Sequence, residues 1–144
     1  MMTMTQSDQS FKNMQSCTNK EHLQGIVDKV GEYLKIPKVQ LCIMKYNPKT
    51  FAAYANIEHK QIYLCPNALF DEMYATTLIT HECCHFRSIY HTKKFKEIEK
   101  DALLNVFNYQ VVSYKKSSTN IMYVNKIKTR LATGGMREMV FHIP

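Results

Sequence analysis

His81-Glu82-Cys83-Cys84-His85 reads H-E-x-x-H, and His91 follows six residues on, so half of the chain's 6 histidines sit in one short stretch. On a helix, residues four apart share a face one turn apart, and two imidazoles so placed can grip one zinc ion. Catalytic zinc takes three protein ligands and keeps a fourth position open, so a third donor must come from elsewhere. His91 lies just past the expected helix end, where the chain can turn back. Cys84, three residues after His81, can reach the same face, which leaves His81, Cys84 and His91 as an alternative set. Glu82, next to the first histidine, is placed to take a proton from a water that the metal activates, the general-base role this motif implies. The bland alternative is a metal-free helix with satisfied histidines. A zinc deaminase is disfavoured, since that signature needs H-x-E and a later P-C-x-x-C.

These residues need a helix to hold them. Phe70, Met73, Tyr74, Thr77, Leu78, His81, Cys84 and His85 recur at intervals of three and four, which predicts one helix over about 68–88, with Asp71 and Glu72 at its start. Thr18-x-x-Glu21 fits a capping box ahead of Leu23, Ile26, Val27, Val30, Tyr33 and Leu34, a helix over about 19–35. Short runs at Val39–Met44, Phe51–Ala55 and Gln61–Cys65, separated by turns, read as three strands in a meander. A second long helix is expected over about 92–114, with Phe95, Ile98, Ala102, Val106 and Tyr109 on one stripe. Ile121 to Leu131 reads as a further helix, 132–135 as a turn and Met139 to Ile143 as a short strand. Residues 1–17, polar and without periodicity, read as a flexible tail before a single domain over 18–144.

The run His81-Glu82-x-x-His85, five residues, His91, three residues, Phe95 resembles the active-site segment of SprT-like and WLM zinc metallopeptidases, the group that includes the Spartan-type proteases of DNA-protein crosslinks. Gln61 to Leu69 is similar to the strand and turn that lead into their active-site helix. The resemblance covers about residues 50–105. It implies an α+β, gluzincin-like core: a small antiparallel sheet packed on an N-terminal helix and on the H-E-x-x-H helix, followed by the second long helix. It further implies zinc on His81, His85 and His91, Glu82 as catalytic base, Phe95 packed behind the third ligand, and a protein substrate. The chain departs from the pattern at Thr92, where the family has Gly, and at Cys83 and Cys84, where aliphatic and small residues are usual. No cysteine follows Cys84 to build a zinc ribbon. Metzincin spacing also fits, but Ser88 stands where their turn glycine belongs.

A net charge of +7 biases the chain toward polyanions. The excess is concentrated in 113–144, where Lys115, Lys116, Lys126, Lys128 and Arg130 are candidate contacts to single-stranded DNA or another nucleic acid, with Tyr114 and Tyr123 placed to stack on bases. A solvated basic face is the plainer alternative. His142, Tyr123, Arg130 and Arg137 are candidates to polarise a substrate carbonyl, whereas His22 and His59 read as solvent-exposed. Five cysteines, two of them adjacent, argue against a disulfide framework. With no membrane-length apolar run and no signal-peptide layout, the expected location is intracellular and cytoplasmic, or nuclear in a eukaryotic or viral setting. Besides the zinc peptidase, three classes stay open: a nucleic-acid-binding module with structural zinc, a regulatory or anti-restriction protein, and a metal-free helical protein.

Overall fold

A computed structural model describes residues 18–115, 120–126 and 137–141, with those from 112 onward as backbone only. Helix α1, Lys20–Leu34, starts at Asn19, whose side chain accepts the His22 N–H at 2.8 Å. The cap is therefore one residue later than the expected capping box. Leu23, Val27 and Val30 are fully buried along one stripe, and the helix stops at Lys35 in the left-handed conformation, φ 56°.

Strands β1 (Gln40–Ile43), β2 (Ala53–Asn56) and β3 (Gln61–Leu64) form a sheet in the order β1-β3-β2, β1 parallel and β2 antiparallel to β3. This corrects both the meander and the all-antiparallel sheet expected from sequence. The cause is burial: β3 carries Ile62 and Leu64, each at 0% exposure, and the most deeply buried of the three strands takes the centre. A tight turn over 57–60 folds β2 back onto one edge of β3, and β1, delivered by α1, takes the other. The outer edge of β1 is closed by a side chain. Gln24 accepts the Leu41 N–H and donates to the Val39 carbonyl, each at 2.8 Å.

After a 3-10 turn at Pro66–Phe70 comes α2, Glu72–Cys84, capped by Asp71, which accepts the Tyr74 N–H at 3.1 Å. The expected single helix over 68–88 is thus a turn plus a shorter helix. Every residue from Ala75 to Cys84 is buried, because α2 runs between α1, helix α3 (Lys93–Phe107) and strands β2 and β3. Its buried hydroxyls are satisfied internally, Thr77 and Thr80 bonding the carbonyls of Met73 and Thr76 at 2.7 and 2.8 Å. Helix α3 ends at Phe107, capped by Asn108 with φ 59°, seven residues short of the expected 114, and a strand follows instead: β4, Tyr109–Lys115, pairs with β5, Asn120–Lys126, which pairs with β6, Arg137–Phe141. The helix expected from Ile121 is corrected to strand over 121–126; the β-branched and aromatic residues Val111, Val112, Tyr114, Ile121, Tyr123 and Val124 favour an extended chain. The strand expected near the C-terminus is β6. The tail over 1–17 and the turn over 132–135 lie outside the described residues.

The Gln24 amide gives a direct test of the β1 edge. Gln24→Leu keeps the bulk but leaves a part-buried N–H and C=O without partners, which should cost about 1–3 kcal/mol. Thermal unfolding should show a midpoint lower by several degrees, and an unchanged midpoint would mean that water satisfies this edge.

Candidate metal centre

Burial of the last turn of α2 on all sides fixes where its histidines go. His81 is 5% exposed, and its Nδ1 lies 2.6 Å from Oε2 of Glu99, a residue of α3 that is itself 2% exposed. His85 closes α2, and its Nδ1 donates to the Ser88 carbonyl at 3.2 Å. The chain then reverses: Arg87 and Ser88 donate their N–H groups to the Cys84 carbonyl at 2.9 Å, and the Arg87 guanidinium donates to the Leu34 carbonyl of α1 at 2.7 Å. That reversal returns His91 to the helix it left. Thr92 follows as the N-cap of α3, accepting the Phe95 N–H at 3.2 Å with φ −78°. A glycine is not needed there, because the turn uses an ordinary extended residue that a helix cap also requires.

Ring nitrogens of His81, His85 and His91 all lie within 4.8 Å of one another. His81 Nε2 and His91 Nε2 are 3.1 Å apart. A tetrahedral zinc with bonds of about 2.0–2.1 Å spaces its nitrogens roughly 3.3–3.4 Å apart, so this set is close to the size of such a site. The donor chemistry fits as well. With the Nδ1 atoms of His81 and His85 engaged elsewhere, their Nε2 atoms are left to face the shared space, and two lone pairs converging at such a distance repel unless a proton or a cation lies between them. Phe95, 1% exposed, supports all of them: its ring centroid is 5.0 Å from that of His81, 4.7 Å from His85 and 5.0 Å from His91. The expected packing behind one histidine is in fact packing against three.

The protonation pattern follows from the same burial. Burial alone would pull the His81 pKa down, but the charge and hydrogen bond of Glu99, with the charge of Glu82, outweigh it and raise it. His85 is pushed down to about 4 by burial and by the neighbouring His81 and His91. His91 is lowered by burial first and then by His81. Glu82, 3% exposed, is pushed up to about 7 by burial, with His81 opposing and Glu99 adding to the rise.

Glu82, His85 and His91 share the lining of a cleft of about 360 Å³ with Phe51, Tyr54, Ala55, Ile57 and Ile89. Among the described residues, strand β2 forms the open edge beside it. The strand that leads directly into α2, β3, cannot offer an edge, since it is paired on both sides. Cys65 donates to the Ala52 carbonyl at 2.8 Å, so in the antiparallel register Tyr54 and Asn56 bond β3 while Ala53 and Ala55 turn their backbone groups outward.

Other candidates fall elsewhere. Cys84 is at 0% exposure with its thiol held well above its ordinary pKa, chiefly by burial, and it is not among the converging donors, whereas His85 is, which sets aside the alternative of His81, Cys84 and His91. Cys42, Cys65, Cys83 and Cys84 are all free thiols. His22 is exposed and bonds Glu72 at the start of α2, and His59 is exposed in the β2–β3 turn. Lys126 pairs in register with Tyr109 and Lys115 with Ile121, at opposite ends of the β4–β5 ladder. Tyr123 is in β5 and Arg137 in β6, whereas Lys116, Lys128, Arg130 and His142 lie outside the described residues. Glu99 was missed in the sequence, although a signal was there: it sits four residues after Phe95 and four before Leu103, a carboxylate on the core stripe. The buried stripe of α3 is Phe95, Glu99, Ala102 and Leu103, and Tyr109, expected on it, belongs to β4.

No protein-family model matches the chain, and no curated protein matches it. Among solved structures, the metallopeptidase zymogen abylysin of Pyrococcus abyssi overlaps 54% of this chain and 76% of its own, at 20% identity and a TM-score of 0.48. The metallopeptidase zymogen jannalysin of Methanocaldococcus jannaschii overlaps 59% of this chain and 81% of its own, at 28% identity and a TM-score of 0.46. No helix among the described residues is long and apolar enough to cross a membrane.

The raised Glu82 pKa has a consequence for stability. Below its ordinary value of 4.5 the carboxyl is protonated in both states; as pH rises toward about 7 only the unfolded chain gains by ionising, so folding weakens over that window. In chelator, Glu82→Gln should therefore unfold at higher denaturant than the parent at pH 8, by on the order of 2–3 kcal/mol, and by almost nothing near pH 4. Denaturant titrations at the two pH values check this, and a difference independent of pH would refute the buried-charge account.

Proposed function

We propose that this protein is a zinc-dependent peptidase of SprT/WLM type, with zinc on His81, His85 and His91 and Glu82 as general base. The observation that carries the reading is the convergence of three imidazoles beside a buried carboxylate in a cleft that runs along a strand edge left unpaired among the described residues. Zinc bound there supplies a Lewis acid and lowers the pKa of its water toward neutrality. The residues of the chain do the rest. Glu99 holds His81 through Nδ1, which leaves Nε2 as the ligating nitrogen, and Ser88 does the same for His85. Glu82, next to His81 in the chain and lining the same cleft as His85 and His91, is placed to accept a proton from the attacking water and pass it to the leaving amine. The outward amide groups of Ala53 and Ala55 can pair with an extended substrate backbone, which favours unfolded segments as substrates.

A structural zinc would call for four closed ligands, whereas this group has three donors among the described residues and an open cleft beside them, which favours catalysis over a binding module. The basic segment 113–144 extends the proposal to substrates held on nucleic acid, with its charge as the support.

Two measurements test this reading. Purified protein should carry close to one zinc per chain, and His91→Ala should lose most of it; Glu99→Ala should bind zinc about ten- to a hundredfold more weakly, with Glu99→Gln retaining part of the affinity because its carbonyl can still accept from Nδ1. Full zinc in His91→Ala would sink the ligand set. Separately, Glu82→Gln should keep zinc while losing about a hundred- to ten-thousandfold in the cleavage rate of an unfolded protein. Equal cleavage by that variant would remove Glu82 as the base.

A further inference from the structure

The walls of the cleft carry large apolar side chains that the fold leaves in water. Ile57, in the β2–β3 turn, is 40% exposed, and Ile89, in the loop between α2 and α3, is 67% exposed. They face the same cavity from separate segments, together with Phe51, Tyr54 and Ala55. The aromatic side is held in place: Tyr54 stacks on Tyr63 with centroids 4.6 Å apart and meets Phe51 edge-on at 5.7 Å. Besides the Tyr54 phenol, the ionisable groups among the described residues that line the cleft are Glu82, His85 and His91, all part of the reaction centre, and no described Lys, Arg or Asp joins them. A charged side chain entering here would lose water and find no partner beyond those groups, whereas an aliphatic or aromatic one would bury apolar area on both sides.

We propose that this cleft is the specificity subsite for one bulky apolar side chain of an extended peptide, with Ile57 and Ile89 as the residues that set the preference. The proposal rests on the peptidase reading and deepens it. At about 360 Å³ the cavity is near the small end of ligand clefts, enough for one or two side chains and too small for a folded surface. The open edge of β2 supplies the register. A peptide paired on Ala53 and Ala55 sends alternate side chains to opposite faces, so one of them enters the cleft beside the histidines and the next points away. Preference should then fall on a single position next to the scissile bond, for Leu, Met or Phe over Asp or Lys, by roughly ten- to a hundredfold.

The test separates binding from cleavage. Zinc-loaded full chain carrying Glu82→Gln is titrated with fluorescent unstructured peptides that differ at one central residue, Leu, Phe, Asp or Lys. The parent is incubated with an unfolded protein, and its cut sites are mapped by mass spectrometry. Tighter binding of the Leu and Phe peptides, reduced to within about threefold of the Asp peptide by Ile57→Asp or Ile89→Asp, supports the subsite. Because these isoleucines are exposed, the variants should fold; Ile57→Ser and Ile89→Ser serve as milder versions, with thermal midpoint as the control. Equal binding of all peptides, or a preference that the variants leave untouched, overturns the subsite whatever the parent cleaves. An apolar preference in a parent that cuts nothing overturns the peptidase reading and leaves the cleft as a peptide-binding site. Concentration-dependent self-association abolished by Ile89→Asp, with no peptide bound, would assign the rim to a second copy of the chain and overturn the subsite.

Discussion

A carboxylate in a protein core is costly unless something charged or strongly polar meets it, and Glu99 is met by His81 at 2.6 Å. Much of the centre depends on that contact. It pins α3 to the last turn of α2, fixes which nitrogen of His81 faces the cleft, and keeps the imidazole from sinking into the apolar interior that surrounds it. Phe95, one turn earlier on α3, completes the arrangement by packing against all three histidine rings. One helix thus supplies both the polar anchor and the apolar floor, and the loop between the helices needs only to bring His91 back over them.

That loop is short because its ends are already held. Arg87 reaches the C-terminal end of α1 and Thr92 starts α3, so the segment carrying His91 is fastened at both sides to rigid elements. The sheet contributes by being asymmetric. Gln24 closes the β1 edge while, among the described residues, the β2 edge stays open next to the cleft, which directs pairing by an extended chain to the side where the histidines are. The exposed isoleucines of the two loops stand at that same opening.

The histidine spacing was legible because a helix converts a separation of four residues into a shared face with no help from the rest of the chain. The strands were legible as strands for the same local reason, but their order was not. Which edge of β3 each neighbour takes depends on which strand buries most, and β1 and β2 look alike in isolation. The end of α3 was misjudged because Tyr109 and Val111 continue a plausible apolar spacing, while the left-handed Asn108 that breaks it is an ordinary residue in the sequence. Glu99 was overlooked because a glutamate on an amphipathic helix is usually solvent-facing, and only its place between Phe95 and Leu103 marks it otherwise.

By itself, then, the sequence determined the local geometry of the centre: a helix with His81, Glu82 and His85 one turn apart, a third histidine at a distance a turn can span, and Phe95 positioned to pack. Only the tertiary structure decided which donors meet, since Cys84 stood as an alternative to His85 until packing buried the thiol, and His91 had to be returned to the helix by the loop. It also decided that Glu99 orients His81 and that β2, not β3, presents its edge. The physical reason is that helix periodicity is a property of neighbouring residues, whereas burial, edge exposure and the pairing of a buried charge are set by segments far apart in the chain.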